Sequence, residues 1–294
     1  MIIDVKGLKK QYKKQEVLKG IDIQVESPQI LALVGPNGAG KTTLMNCMMN
    51  LLSFNEGSIE LMGKKHTDSS IFYNVSYMQD NRILYGDLTA YDHLQFICDI
   101  QKLHTSRIQA VAERVGMSNY LKKRVRSFSL GMKQHLLLAM SIISEPKLLL
   151  MDEPINGLDP TSAINMRNIL LELNAEGTTI LISSHNLDEI DRLTSTIYFM
   201  KNGALLKESL DDFATNNYTL RVNQPVMAQQ VLNERGLYFQ MTDFESVSFE
   251  ETIQPLHIVL ETLYNHQIQV LSVQNERVGA ERRYRELFES ELSS

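Results

Sequence analysis

Ile30-Leu31-Ala32-Leu33-Val34-Gly35-Pro36-Asn37-Gly38-Ala39-Gly40-Lys41-Thr42-Thr43 is the stretch whose reading decides the fold. Its first five residues form a continuous apolar run, the pattern of a strand buried on both faces in a parallel sheet. The next nine fit G-x-x-x-x-G-K-[ST] in full, and an apolar helical pattern, Lys41–Leu52, follows them. Glycines at such a strand-to-helix corner let successive backbone N–H groups turn inward around phosphates. The helix N-terminus adds partial positive charge. In that chemistry Lys41 reaches the β- and γ-phosphates, and the Thr42 hydroxyl ligates Mg²⁺. Gly35 through Thr43 are therefore candidate nucleotide-binding residues.

Further along, Leu148-Leu149-Leu150-Met151-Asp152-Glu153-Pro154 is another buried strand, and it delivers two carboxylates at its C-terminal tip. Open α/β sheets bind ligands at such tips. Asp152 is expected to hold the Mg²⁺ shell, and Glu153 to orient the attacking water as general base. Strand patterns at Ile2–Val5, Ile21–Val25, Ile30–Val34, Leu148–Met151, Thr179–Ser183 and Thr196–Met200 alternate with helical ones. The helices are expected at Thr89–Gln101, Arg107–Val115, Gly131–Ser144, Pro160–Asn174 and Leu187–Leu193. The alternation predicts an α/β phosphate-loop core with a mostly parallel sheet over residues 1–210, with a helical subdomain at about 82–145.

After Leu210 the character changes. Strands at 218–222, 237–242, 246–250 and 269–273 and helices at 225–234, 255–266 and 280–292 suggest a small βαββαβ α+β domain at 216–294.

Composition closes off other classes. The 294 residues are 43% hydrophobic and 22% charged, ordinary for a globular chain. Lys+Arg 29 against Asp+Glu 35 leaves a net charge of −6, a poor match to a phosphate backbone, so no nucleic-acid partner is expected. The most apolar stretch, Leu136–Met151, is broken by Glu145, Pro146 and Lys147, short of the roughly 20 apolar residues a spanning helix needs. The N-terminus lacks the basic-then-apolar pattern of a secretory signal. Cys47 and Cys98 stand alone within apolar helical patterns and read as buried core residues of a cytosolic protein.

Five further features give the chain its resemblance, over residues 1–210, to the ATP-binding cassette family, the ATPase subunits of ABC transporters. Ser129-Leu130-Gly131-Met132-Lys133-Gln134, 23 residues before Asp152, resembles the family's signature loop. Gln79 matches the Q-loop glutamine, which touches Mg²⁺ and faces the membrane partner. Gly157-Leu158-Asp159-Pro160 matches the D-loop, and His185 the switch histidine at the γ-phosphate. Tyr12 matches the aromatic that stacks on adenine, with Val17 packing nearby. A lone Gln, His or Tyr carries little; their order and spacing carry the resemblance.

It implies ATP and Mg²⁺ as cofactors, with Lys41, Gln79, Glu153 and His185 catalytic and Thr42, Gln79 and Asp152 around the metal. It also implies a composite site, closed when two subunits pair head to tail so that Ser129 and Gly131 of one meet the ATP of the other. The implied partners are an integral-membrane permease and a second ATPase subunit, like or unlike. The implied place is the cytoplasmic face of the membrane. The S-x-G-M-K-Q variant and the C-terminal appendage are similar to those of drug and peptide exporters, including exporters of phenol-soluble-modulin peptides. Two positions depart from the pattern: Leu130 stands where the family has glycine, and His135 where it usually has arginine.

Overall fold

The computed structural model describes residues 1–13, 15–212, 215–242 and 245–288. They divide into two compact units, Met1–Ser209 and Leu210–Ser294.

The first unit opens with β1 (Ile3–Tyr12) and β2 (Gln15–Val25), two long antiparallel strands where the sequence suggested only short ones. Along β2 burial alternates from Ile21 on, with Ile21, Ile23 and Val25 facing the core between exposed Asp22 and Gln24, and on β1 Ile3, Val5 and Leu8 face the same core. The polar halves of both strands hid them from hydrophobic patterning. Strand β3 (Ile30–Val34) is buried at all five positions. The helix after it, α1 (Lys41–Met48), stops short of the expected Leu52, and Asn50 stands in the left-handed region at φ 56°.

β4 (Glu56–Leu61), β5 (Lys64–Lys65) and β6 (Val75–Met78) follow, none of them anticipated. Each is short, and β4 begins Glu-Gly-Ser. Pairing with β1 makes it a strand, against its local propensity.

Three helices come next: α2 (Ala90–Gln101), α3 (Ser106–Arg114) and α4 (Leu130–Ile142). Thr89 and Asp92 close a reciprocal capping box on α2, and Ser129 caps α4 by accepting from Met132 N–H at 3.3 Å. Then come β7 (Leu148–Asp152), α5 (Pro160–Ala175), β8 (Thr179–Ser184), α6 (Leu187–Leu193), β9 (Thr196–Lys201) and β10 (Ala204–Ser209).

The main sheet runs β10-β9-β3-β8-β7-β6, parallel except for β10, a strand not expected from the residue pattern. Its register positions the site. Val34 pairs Ser184, Asp152 pairs Ser183, and Met78 pairs Met151, so β3, β8, β7 and β6 end together. Their C-terminal tips bring Gly35, His185, Asp152 and Gln79 to one edge. Leu31, Leu33, Leu44, Met45, Leu148, Leu150 and Leu181 fill the core beneath, each contributing about 1.5–3 kcal/mol by its burial. Cys47 and Cys98 are both buried free thiols.

The second unit contains β11 (Thr215–Val222), α7 (Pro225–Glu234), β12 (Gln240–Met241), β13 (Ser246–Glu250), α8 (Leu256–Asn265), β14 (Val270–Val278) and α9 (Ala280–Phe288). The sheet is antiparallel in the order β12-β13-β11-β14, the split βαβ arrangement. Leu220, Val222, Leu232, Val247, Phe249 and Leu263 form its core. The strand expected at 237–242 shrinks to two residues. Leu237 N–H bonds back to Leu232 O and Gly236 N–H to Asn233 O, so the stretch is spent ending α7. The expected extension of the last helix to 292 lies outside the described residues.

Candidate active site

Around the glycine corner the backbone leaves the ordinary regions. Gly38 has φ 81° and Gly40 φ 112°. A Cβ at 40 would also press within 3.2 Å of Val17 and Leu18. Glycine is required there twice over, by conformation and by space.

Lys41 is the first residue of α1 and is buried. Its Nζ donates to Gly35 O at 2.7 Å and Pro36 O at 3.3 Å, folding the side chain back under the loop. Burial lowers its pKa, against the charges of Glu153 and Asp152. A desolvated ammonium at the mouth of a glycine loop is electrostatically set for an anion.

Beside it, Thr42 Oγ1 donates to Asp152 Oδ2 at 2.7 Å, and Ser183 Oγ donates to Asp152 Oδ1 at 2.5 Å. Both carboxylate oxygens are therefore held, one by α1 and one by β8. Ser183 was not singled out from the sequence. The signal was present: a polar residue closing a buried strand is unusual enough to need a reason.

Glu153 stands in the left-handed region at φ 52°, uncommon for a residue with a side chain. Its N–H donates to Ser183 O at 3.2 Å and Ser183 Oγ at 3.0 Å, which fixes the turn. Its carboxylate Oε2 faces His185, with Nδ1 at 2.7 Å and the His185 N–H at 3.3 Å. Asn37, Gly38, Gly40, Lys41, Thr42, Thr43, Asp80, Asp152 and Glu153 line one cavity of about 310 Å³. A second cavity, of about 720 Å³, is lined by Pro36, Asn37, Gly38, Ala39, Val17, Gln15 and Asn202 among others.

The expected residues thus separate into two sets. Lys41, Thr42, Asp152, Glu153 and His185 are brought together. Gln79 follows β6 directly, yet its neighbour Asp80 lines the cavity, holding Arg82 by a 2.8 Å contact of Nε to Oδ2. Tyr12 is exposed, with Lys10 Nζ 4.9 Å above its ring, and lines neither cavity. Ser129, Gly131 and Asp159 also lie outside both cavities. Asp159 caps α5, accepting from Ser162 N–H at 3.1 Å and Ser162 Oγ at 2.7 Å, and these bonds lower its pKa. At the departure from the family pattern, His135 Nδ1 lies 2.9 Å from the Tyr120 hydroxyl. Burial lowers the pKa of His135 and raises that of Tyr120 to about 12.

A hydroxyl and a carboxylate 2.7 Å apart are hard oxygen donors. Among the described residues no group of three or more His, Cys, Asp or Glu could hold a metal ion. Two protein oxygens suit Mg²⁺, which keeps several waters and takes further ligands from phosphates.

Fold and cavity together define a phosphate-loop nucleoside-triphosphate hydrolase. Residues 18–156 match the ABC transporter family. The lantibiotic transport ATP-binding protein SrtF of Streptococcus pyogenes is 36% identical over 223 residues, 76% of this chain and 97% of SrtF. The bacitracin transport ATP-binding protein BcrA of Enterococcus faecalis is 35% identical over 251 residues, 83% of this chain and 80% of BcrA. A solved structure of an ATP-binding subunit of an ABC transporter superposes with a TM-score of 0.67 at 28% identity, covering 72% of this chain and 91% of that one. The chain belongs to the ABC transporter family as an ATP-binding subunit, and it is an ATPase. Among the described residues, no helix is long and apolar enough to cross a membrane.

Proposed function

We propose that this chain drives export of a peptide, toxin or drug through a separate membrane permease, pairing with a second ATPase subunit and working at the cytoplasmic face. The convergence of Lys41, Thr42, Asp152, Glu153 and His185 on one sheet edge carries the catalytic half of this reading. The lantibiotic and bacitracin relatives support the exporter half. Nucleotide phosphates rest on the N–H groups of residues 35–43, with Lys41 neutralising them. Tyr12 and Val17 receive the base.

Thr42, Asp152 and Gln79 would hold Mg²⁺, which would supply charge neutralisation at the phosphate oxygens. Glu153 accepts the proton of the attacking water, and His185, bonded to it, keeps the carboxylate aimed and meets the γ-phosphate. Ser129 and Gly131 complete the site from the opposite subunit, with Asp159 at the shared boundary.

The test is Glu153→Gln in the full chain. An amide cannot take the water's proton, so turnover should fall about 10²–10⁴-fold while ATP affinity stays near wild type. Near-normal turnover removes Glu153 from this role. For the exporter half, the chain should co-purify from detergent-solubilised membranes with a protein of several apolar spans; recovery without one counts against it.

A further inference from the structure

The signature loop leaves the family pattern at Leu130, and that side chain has a seat. Gly157 lies at φ 72°, and a Cβ built there would stand 2.6 Å from Leu130 Cδ2. One Leu130 methyl therefore occupies the space that any side chain at 157 would need. One residue on, a Cβ at Gly131 would meet Ser162 Oγ at 3.7 Å, Leu158 Cδ2 at 3.8 Å and Asp159 Oδ2 at 4.0 Å. Two successive residues of the first turn of α4 thus abut the segment 157–162.

That segment is tied closely to the catalytic carboxylate. Asn156 N–H bonds to Glu153 O at 3.2 Å, and Leu158 N–H to Ile155 O at 3.3 Å. Glu153 itself is pinned to Ser183 at the tip of β8. Two tight turns are all that separate Glu153 from Gly157.

We propose that Leu130 is a positioning residue for hydrolysis: seated on Gly157, it holds the 153–157 turn, and with it Glu153, in fixed relation to the signature loop. A glycine at 130 has no side chain to make this contact, so the coupling depends on the residue that stands at this position. The inference rests on Glu153 being the general base. A contact of one side chain on a backbone turn is small, so the effect is several-fold and confined to turnover.

The experiment is a double-mutant cycle on the full chain, reading kcat and KM for ATP of Leu130→Ala, Gly157→Ala and the double variant, with melting midpoints alongside. Leu130→Ala should lower kcat about fivefold with KM within about twofold, because the phosphate loop is untouched. Gly157→Ala should lower kcat as well, since its Cβ displaces Leu130 from a strained backbone. In the double variant the new Cβ meets only an alanine. Its kcat should then exceed the product of the two single effects by about threefold or more; the φ strain is common to both 157 variants and cancels. Effects that multiply, a wild-type kcat in Leu130→Ala, or a change in melting midpoint alone overturn the proposal. Glu153→Gln run in parallel separates the two failures. If it kills turnover while the cycle is additive, only the Leu130 coupling is lost; if it leaves turnover intact, the reading beneath it is lost too.

Discussion

Glu153 occupies a left-handed backbone position at the end of a buried strand, and Ser183 holds it there through both backbone and side-chain oxygen. Such a conformation costs on the order of 1–3 kcal/mol and persists only where neighbours over-determine it. From that position the carboxylate faces His185. His135 poses a different residue-scale question. It is buried against Tyr120, and that burial lowers its pKa, with the charge of Asp159 acting the other way. Between its lowered folded value and the ordinary 6.5, the unfolded chain binds more protons than the folded one. The stability His135 confers is therefore present above pH 6.5 and is lost as pH falls through the folded value. His135→Gln keeps a partner for Tyr120 but cannot charge. Its melting midpoint should fall less than that of wild type between neutral and mildly acidic pH; equal slopes would assign the acid sensitivity elsewhere.

Two helices carry the segments that flank the site, and an ion pair joins them. α5 is capped by Asp159, α6 is capped by Asn186 just after His185, and Arg167 Nη1 meets Glu189 Oε2 at 2.7 Å. The two side chains are only 12% and 14% exposed. Removing one partner of such a pair leaves a buried charge uncompensated, which costs about 3–5 kcal/mol. Arg167→Met should therefore destabilise the chain by about that amount in a denaturant titration, with an unchanged slope. Arg167→Met/Glu189→Leu should recover most of the loss, because an apolar pair replaces both charges together. If the single variant costs less than about 1 kcal/mol, the pair is solvated after all.

At the scale of the whole molecule, Ser129 caps α4 away from the cavity that holds Lys41. In the head-to-tail pairing proposed above, it serves the other subunit's nucleotide. Ser129→Arg should then leave ATP binding intact and abolish hydrolysis. Lys41→Ala should weaken nucleotide binding itself. Mixed, the two variants form pairs in which one composite site carries both lesions and the other neither, so a homodimer regains part of its turnover. A mixture as inactive as its components shows that both sites must fire together or that the natural partner is a different ATPase. Normal hydrolysis by Ser129→Arg at every protein concentration rules out the pairing.

Strands buried on both faces and the corner motif were legible because they are local. The run at 30–34 has to be buried whatever surrounds it, and Gly38, Gly40 and Lys41 sit at spacings set by one turn of chain. The acidic tip at 152–153 was legible for the same reason. β4, β6 and β10 were not: β6 is only four residues long, β4 and β10 carry few strand-forming residues, and each is made a strand by its pairing partner. Tertiary structure also decided that Ser183 clamps Asp152, that Asp80 lines the cavity beside Gln79, and that Leu130 covers Gly157. Each depends on which strand tip stands next to which loop, a matter of sheet order and register. The sequence by itself determined the chemistry at each position, because residue type and short-range spacing are properties of the chain. Which of those positions meet was decided by long-range pairing alone.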